Sequence, residues 1–177
     1  VMANRPIWSS IYQWDDDPRV LSVSFNQPVR DLRSGRLKGV IGVDVILTQL
    51  STFLQRLWGQ RPGMVLVLEH DGHLVASSRP AMVLKNTQGG PPRRVRIDES
   101  DDPLVRRLAG LLFSRTADGR LQLQSGWGHS REQLEFSERN RAVFVEMMGW
   151  SDGLGLNWLV LVVILQEGLQ GIEAQGS

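Results

Sequence analysis

The 177-residue chain contains no cysteine, and that absence removes disulfides, zinc-thiolate sites, iron–sulfur clusters and thiol nucleophiles together. It leaves the redox compartment open. Net charge is almost absent as well: 20 Lys and Arg stand against 19 Asp and Glu, so no strong overall field favours nucleic acid or an anionic membrane surface. Long apolar runs are missing. The longest, Trp158 to Leu165, falls far short of the ~20 residues that span a bilayer, and no basic-plus-apolar leader opens the sequence. A soluble piece is therefore expected, and one that starts on Val1 rather than methionine is expected to be part of something longer. There is no glycine loop with a phosphate-binding lysine, and GQRPG at 59–63 reads as a connector. The hydroxyls of Ser77, Ser78, Ser125 and Ser130 lie in no G-x-S-x-G elbow, so no nucleophile is indicated. No cofactor is implied.

What is present reads as strands and helices in alternating blocks. Trp8 to Trp14 and Val20 to Phe25 carry alternating or β-branched apolar residues on either side of the turn-forming DDDP at 15–18, and a third strand is predicted at Leu37 to Val45. The period then changes. Ile46, Leu47, Leu50, Phe53, Leu54 and Leu57 recur at helical spacing and stop before Gly59 and Pro62. MVLVLEHDGHLVASS is predicted to be a β-hairpin turning at Asp71-Gly72, followed by a Pro-, Gly- and Arg-rich loop over 79–100. SDDPLVRRLAGLLF starts a second helix, capped by Ser100 or Asp101, with Leu104, Leu108, Leu111 and Leu112 on its buried face. After a polar stretch with Gly119, Gly126 and Gly128, strands are predicted at Arg141 to Met148 and Asn157 to Leu165 around WSDGLG. The second of these is apolar throughout, as a central strand should be. The tail EGLQGIEAQGS has only weak helical character, and no repeat indicates a solenoid. The sum is an α+β chain with a largely antiparallel sheet.

Four residues stand out as candidate ligand contacts. Asp44 interrupts the apolar run GVIGVDVILTQLSTFL; in a strand it shares a face with Val40 and Gly42, and the glycine leaves space beside its carboxylate. Two roles fit: accepting hydrogen bonds from a ligand ammonium, or capping the helix that follows. Trp8, Tyr12 and Trp14 alternate along one predicted strand and supply either an aromatic wall for a small ligand or core packing. His70, Asp71 and His73 resemble metal ligands, but an Asp-Gly hairpin explains them more cheaply, and His129 would be needed as a further donor; both histidines are expected to be solvated. In PPRRVR at 91–96 the arginines are followed by Asp98, Glu99, Asp101 and Asp102, so local charge compensation outweighs phosphate or membrane binding.

Several of these segments occur together in one family. W-S-x-I-Y (Trp8 to Tyr12), Q-P-V (Gln27 to Val29), GVIGVDV (Gly39 to Val45), FLQRL (Phe53 to Leu57), EHDGHLVASS (Glu69 to Ser78) and NWLVLVVI (Asn157 to Ile164) resemble double Cache domains in content and order. These are extracytoplasmic sensor regions of bacterial histidine kinases, chemoreceptors and nucleotide cyclases. The resemblance implies a PAS-like module with a central, mainly antiparallel sheet flanked by helices, preceded by part of a second module. Residues 1–58 would be the end of the membrane-distal module plus a connecting helix, residues 59–177 the membrane-proximal module, and the N-terminal part of the family's pattern is absent. It further implies a non-enzymatic, ligand-biased sensor in the periplasm, anchored to the inner membrane by flanking helices, with an amino acid, amine or carboxylate as ligand; strand edges left uncovered by an incomplete distal module could pair between chains as a homodimer. Asp44 matches the aspartate with which amino-acid-binding members hold the ligand amine. Their Arg-x-Trp-Tyr-like carboxylate grip has no counterpart, since Arg5 is spaced differently from Trp8. The alternative is a non-binding, dimerising relay between a sensor and the membrane.

Overall fold

The computed structural model describes residues 5–115, 121 and 131–166. The glycines 119, 126 and 128, the hydroxyls of Ser125 and Ser130, His129 and the tail beyond 166 fall outside the described residues. Two antiparallel sheets, linked by one helix, form the body of the fold. The first has four strands: β1 (Ile7–Trp8), β2 (Tyr12–Gln13), β3 (Leu21–Arg30) and β4 (Leu37–Ile46). β3 is its centre, with β1 and β2 along one edge and β4 along the other.

Helix α1 (Leu47–Trp58) follows β4 without a loop. It docks through Leu47, Ser51 and Leu54, which are buried, and the Ser51 hydroxyl accepts the Ser77 backbone N–H of the second sheet at 3.2 Å. Its apolar stripe is wider than its buried one: Phe53 and Leu57, one turn apart, remain about 60% exposed (59% and 60%).

The second sheet orders its strands β6–β5–β11–β10–β9, with β5 at Gly63–Leu68, β6 at Leu74–Ser77, β9 at Arg131–Glu138, β10 at Arg141–Ser151 and β11 at Asn157–Gln166. β11 lies between β5 and β10, where its apolar sequence belongs. Leu159, Leu161 and Val163 form one buried row that meets Leu68, Leu66 and Met64 on one side and Met147 and Val145 on the other. Gly63 cannot be replaced freely: its φ is +112° and a Cβ there would lie 2.0 Å from the Val163 carbonyl oxygen.

Between β6 and β9 the chain forms the hairpin β7 (Leu84–Thr87) and β8 (Gly90–Arg94), then α2 (Pro103–Phe113). The hairpin and β9 are additions to the expected elements. β8 contains two prolines, and β9 alternates half-buried and exposed residues at an edge, so neither carries a strong apolar signal. The cap of α2 is Asp102, one residue beyond the expected pair; its carboxylate accepts Leu104 N–H at 2.9 Å while Ser100 accepts Asp102 N–H. Buried residues from both sheets and both helices, including Leu21, Leu47, Leu66, Leu108 and Leu161, belong to one hydrophobic cluster. The fold is thus α+β with mainly antiparallel sheets, as the sequence predicts. Among the described residues no helix is long and apolar enough to cross a membrane.

Candidate ligand-binding face

On β3 the polar residues Ser22, Ser24 and Asn26 alternate with Leu21, Val23 and Phe25, so one face of the first sheet is polar and the other apolar. Register with β4 puts Asp44 opposite Ser24 and Gly42 opposite Asn26, on the polar face. Tyr12, opposite Ser22, joins them. The Ser24 hydroxyl donates to Asp44 Oδ1, and the Tyr12 and Ser24 hydroxyl oxygens are 3.0 Å apart. An ionised carboxylate can only accept, and each hydroxyl has one proton, so the row is directional: Tyr12 donates to Ser24, and Ser24 to Asp44. The second carboxylate oxygen of Asp44 is left for another donor.

Asn26 adds an acceptor. Its amide nitrogen donates to the Ser24 carbonyl at 3.1 Å, which orients its oxygen toward Gly42, where an added Cβ would come within 3.2 Å of it. The space that the glycine opens beside Asp44 is therefore lined by a carbonyl oxygen. Trp14 closes the inner end of the row by donating its indole N–H to the buried Ser22 hydroxyl at 2.9 Å. Asp44 does not cap α1: the cap position is Ile46, and no side chain caps the helix. Chemically, this exposed row offers a carboxylate and an amide oxygen to a donor-rich group, and among the described residues no cation is bonded to it.

Trp8 does not share this face. It lies opposite Phe25 while Tyr12 lies opposite Ser22, so four steps along one strand match three along the other. The link between β1 and β2 thus holds one residue more than the stretch of β3 it passes, and an offset of one residue reverses which side chains point to which face. The expectation of three aromatic residues alternating on one strand face is thereby corrected: Tyr12 and Trp14 meet Asp44's face, and Trp8 takes the other. There Trp8 stacks at a tilt on Phe25, centroids 5.1 Å apart, and its indole N–H donates to Asp152 in the turn between β10 and β11. Its backbone N–H also donates to the Leu154 carbonyl at 3.1 Å. Burial opposes ionisation of Asp152, but hydrogen bonds from Leu154 N–H, the Trp8 indole and Leu156 N–H outweigh it and hold the carboxyl below its usual range.

The other candidates disperse. His70 is buried, contrary to expectation: Nδ1 lies 2.6 Å from the Leu121 carbonyl, to which it must donate, and Leu121 N–H donates back to the His70 carbonyl. His73 lies 2.9 Å from Asp71 in the turn and is partly exposed. Among the described residues no three His, Asp or Glu side chains gather to hold a metal. Arg93, Arg94 and Arg96 pair with Glu99, Glu69 and Asp98, so this basic run is compensated locally. Three participants, Ser24, Asn26 and Asp152, are not among the candidates named from the sequence. The polar alternation in LSVSFN does signal the first two, whereas nothing local signals Asp152.

No family model matches the chain, and no curated protein matches it. Solved structures do. The ligand-binding domain of the Pseudomonas aeruginosa amino acid chemoreceptor PctC, in complex with GABA, superposes with a TM-score of 0.53 at 16% identity over 91% of this chain and 56% of that one. That of the Pseudomonas fluorescens chemoreceptor CtaA, in complex with L-leucine, gives 0.51 at 11% over 93% and 55%. Methyl-accepting chemotaxis protein X gives 0.51 at 19% over 92% and 51%. The chain thus spans about half the length of these structures. The likeness is one of fold, and it agrees with the sensor-domain resemblance in the sequence.

Proposed function

We propose that this chain is a ligand-sensing region of a membrane-bound bacterial receptor, exposed on the extracytoplasmic side, and that the Asp44 face takes the amine end of a small molecule. The observation that carries the reading is the directed row Tyr12–Ser24–Asp44, beside the Asn26 amide oxygen, on an open sheet face. An ammonium has three donors and no acceptor, which is the complement of this row. The row supplies no partner for a ligand carboxylate, so the grip on an amino acid would be one-sided. The chemoreceptor domains of like fold, crystallised with GABA and L-leucine, support the ligand class.

On this reading residues 1–58 are the end of a distal module with its connecting helix and residues 59–177 a proximal module, consistent with the two sheets. The chain performs no chemistry; it biases an equilibrium between two arrangements, in a homodimeric receptor held at the inner membrane, with a histidine kinase, nucleotide cyclase or chemotaxis output. Titration calorimetry with amino acids, amines and simple carboxylates tests it. Heat from amine-bearing compounds supports the sensor. Silence across the whole panel favours a second reading, a rigid dimerising relay, for which the contacts of Trp8 with the β10–β11 turn and the shared core are the supporting observations.

A further inference from the structure

A cleft away from the Asp44 face presents the opposite charge. Between the start of α2, the β9–β10 turn and the end of β11 there is a cleft of about 270 Å³, lined by Arg79, Asp102, Pro103, Leu104, Glu138, Arg139, Arg141 and Leu165. Both carboxylates already have cations. Asp102 takes Arg79 at 3.0 Å, and Glu138 takes Arg107 from α2 at 2.6 Å. Arg139 reaches Glu138 only at 3.9 Å, and Arg141 has no acidic partner among the described residues. Of the two guanidiniums lining the cleft, Arg141 therefore has no acidic partner among the described residues and Arg139 only a long one, while Pro103, Leu104 and Leu165 give the cleft an apolar wall.

The turn that presents them is strained. Arg139 and Asn140 both have positive φ, +48° and +65°, a geometry that two-residue hairpins normally assign to Asn and Gly. In the left-handed region the arginine Cβ crowds the following carbonyl oxygen, which a glycine would avoid.

We propose that this cleft binds a small organic carboxylate, its oxygens held by Arg139 and Arg141 and its short apolar body against Leu104 and Leu165. Guanidinium matches carboxylate geometry, and the apolar wall favours a carboxylate with a hydrocarbon body over inorganic phosphate. The site shares no residue with the Asp44 face and recognises the opposite charge, so it stands or falls separately from the amine-binding reading.

The test is calorimetric titration of the whole chain with succinate and with inorganic phosphate, beside thermal melting of each variant. Succinate should bind the parent chain more tightly than phosphate. Arg141→Gln should weaken succinate roughly tenfold or more, whereas Arg131→Gln, which removes the same charge at the other end of β9, should leave it unchanged. Arg139→Gly should raise the melting temperature by relieving the turn and still weaken succinate. A merely structural arginine would not give that split. No binding of succinate, phosphate bound more tightly than succinate, or equal losses in Arg131→Gln and Arg141→Gln would overturn the proposal.

Discussion

β4 and β11 are alike in sequence and opposite in setting. Both are mainly apolar strand sequences, VIGVDVI and WLVLVVIL, of the kind expected where a strand is covered on both faces. β11 has a hydrogen-bonded neighbour on each side and a buried row of Leu159, Leu161 and Val163. β4 pairs only with β3, and its Val40, Ile41 and Val43 are 59–60% exposed, on both faces of the sheet. Composition thus sets what a strand can bury, while its neighbours decide whether it does. The same contrast explains the location of the candidate site, because an edge strand with an open face can meet a ligand and a central one cannot.

The largest effect is expected in the buried row of β11. Leu161→Ala should cost about 2–5 kcal/mol of unfolding free energy, as for other fully buried leucines, whereas Val43→Ala should stay within about 0.5 kcal/mol. Denaturant unfolding of the two variants reads both, and comparable losses would mean that β4 is covered as β11 is. Next comes one of the contacts between the two sheets, that of Trp8 with Asp152. Trp8→Phe keeps the ring on Phe25 but removes the indole donor from Asp152, and a loss of about 1–2 kcal/mol is expected.

The same contact has a pH signature. Asp152 has a folded pKa below its ordinary value, so its contribution is present above the unfolded pKa, roughly pH 4, and is lost as pH falls through the depressed folded value. Asp152→Asn should flatten that acid limb in a series of unfolding curves taken from pH 5 downward. An unchanged limb would assign acid sensitivity to other carboxylates.

The smallest effect concerns the loop before β4. Asp31 is held at about 2, first by the Lys38 ammonium and then by Ser34 and the Arg33 N–H. Lys38→Gln should raise the Asp31 midpoint in a carboxyl NMR titration with little change in global stability, because exposed pairs contribute little. A midpoint that does not move would leave Ser34 and Arg33 as the whole cause.

Much of the architecture is legible in the sequence because it depends on local chemistry. The β11 run, the Asp71-Gly72 hairpin and the α1 spacing each declare themselves within a dozen residues, and each is present close to its expected bounds. β9 and the β7–β8 hairpin are not legible, since alternation at a polar edge and a strand with two prolines give almost no period to read. At the site, Asp44 and Tyr12 can be named from the sequence, and Ser24 is within reach through its alternation. The separation of Trp8 from Tyr12 is not. It follows from one extra residue in the pairing with β3, a property of two strands together that neither sequence carries alone.

Calorimetric titration of amine-bearing ligands into the parent chain and into Asp44→Ala decides whether the Asp44 face holds an amine. If the Tyr12–Ser24–Asp44 row is the amine site, the parent binds and the variant, still folded by circular dichroism, binds at least tenfold more weakly, as expected for loss of a charge-assisted hydrogen bond. Equal affinity in the two proteins would contradict it and reduce Asp44 to an incidental carboxylate on an exposed edge strand.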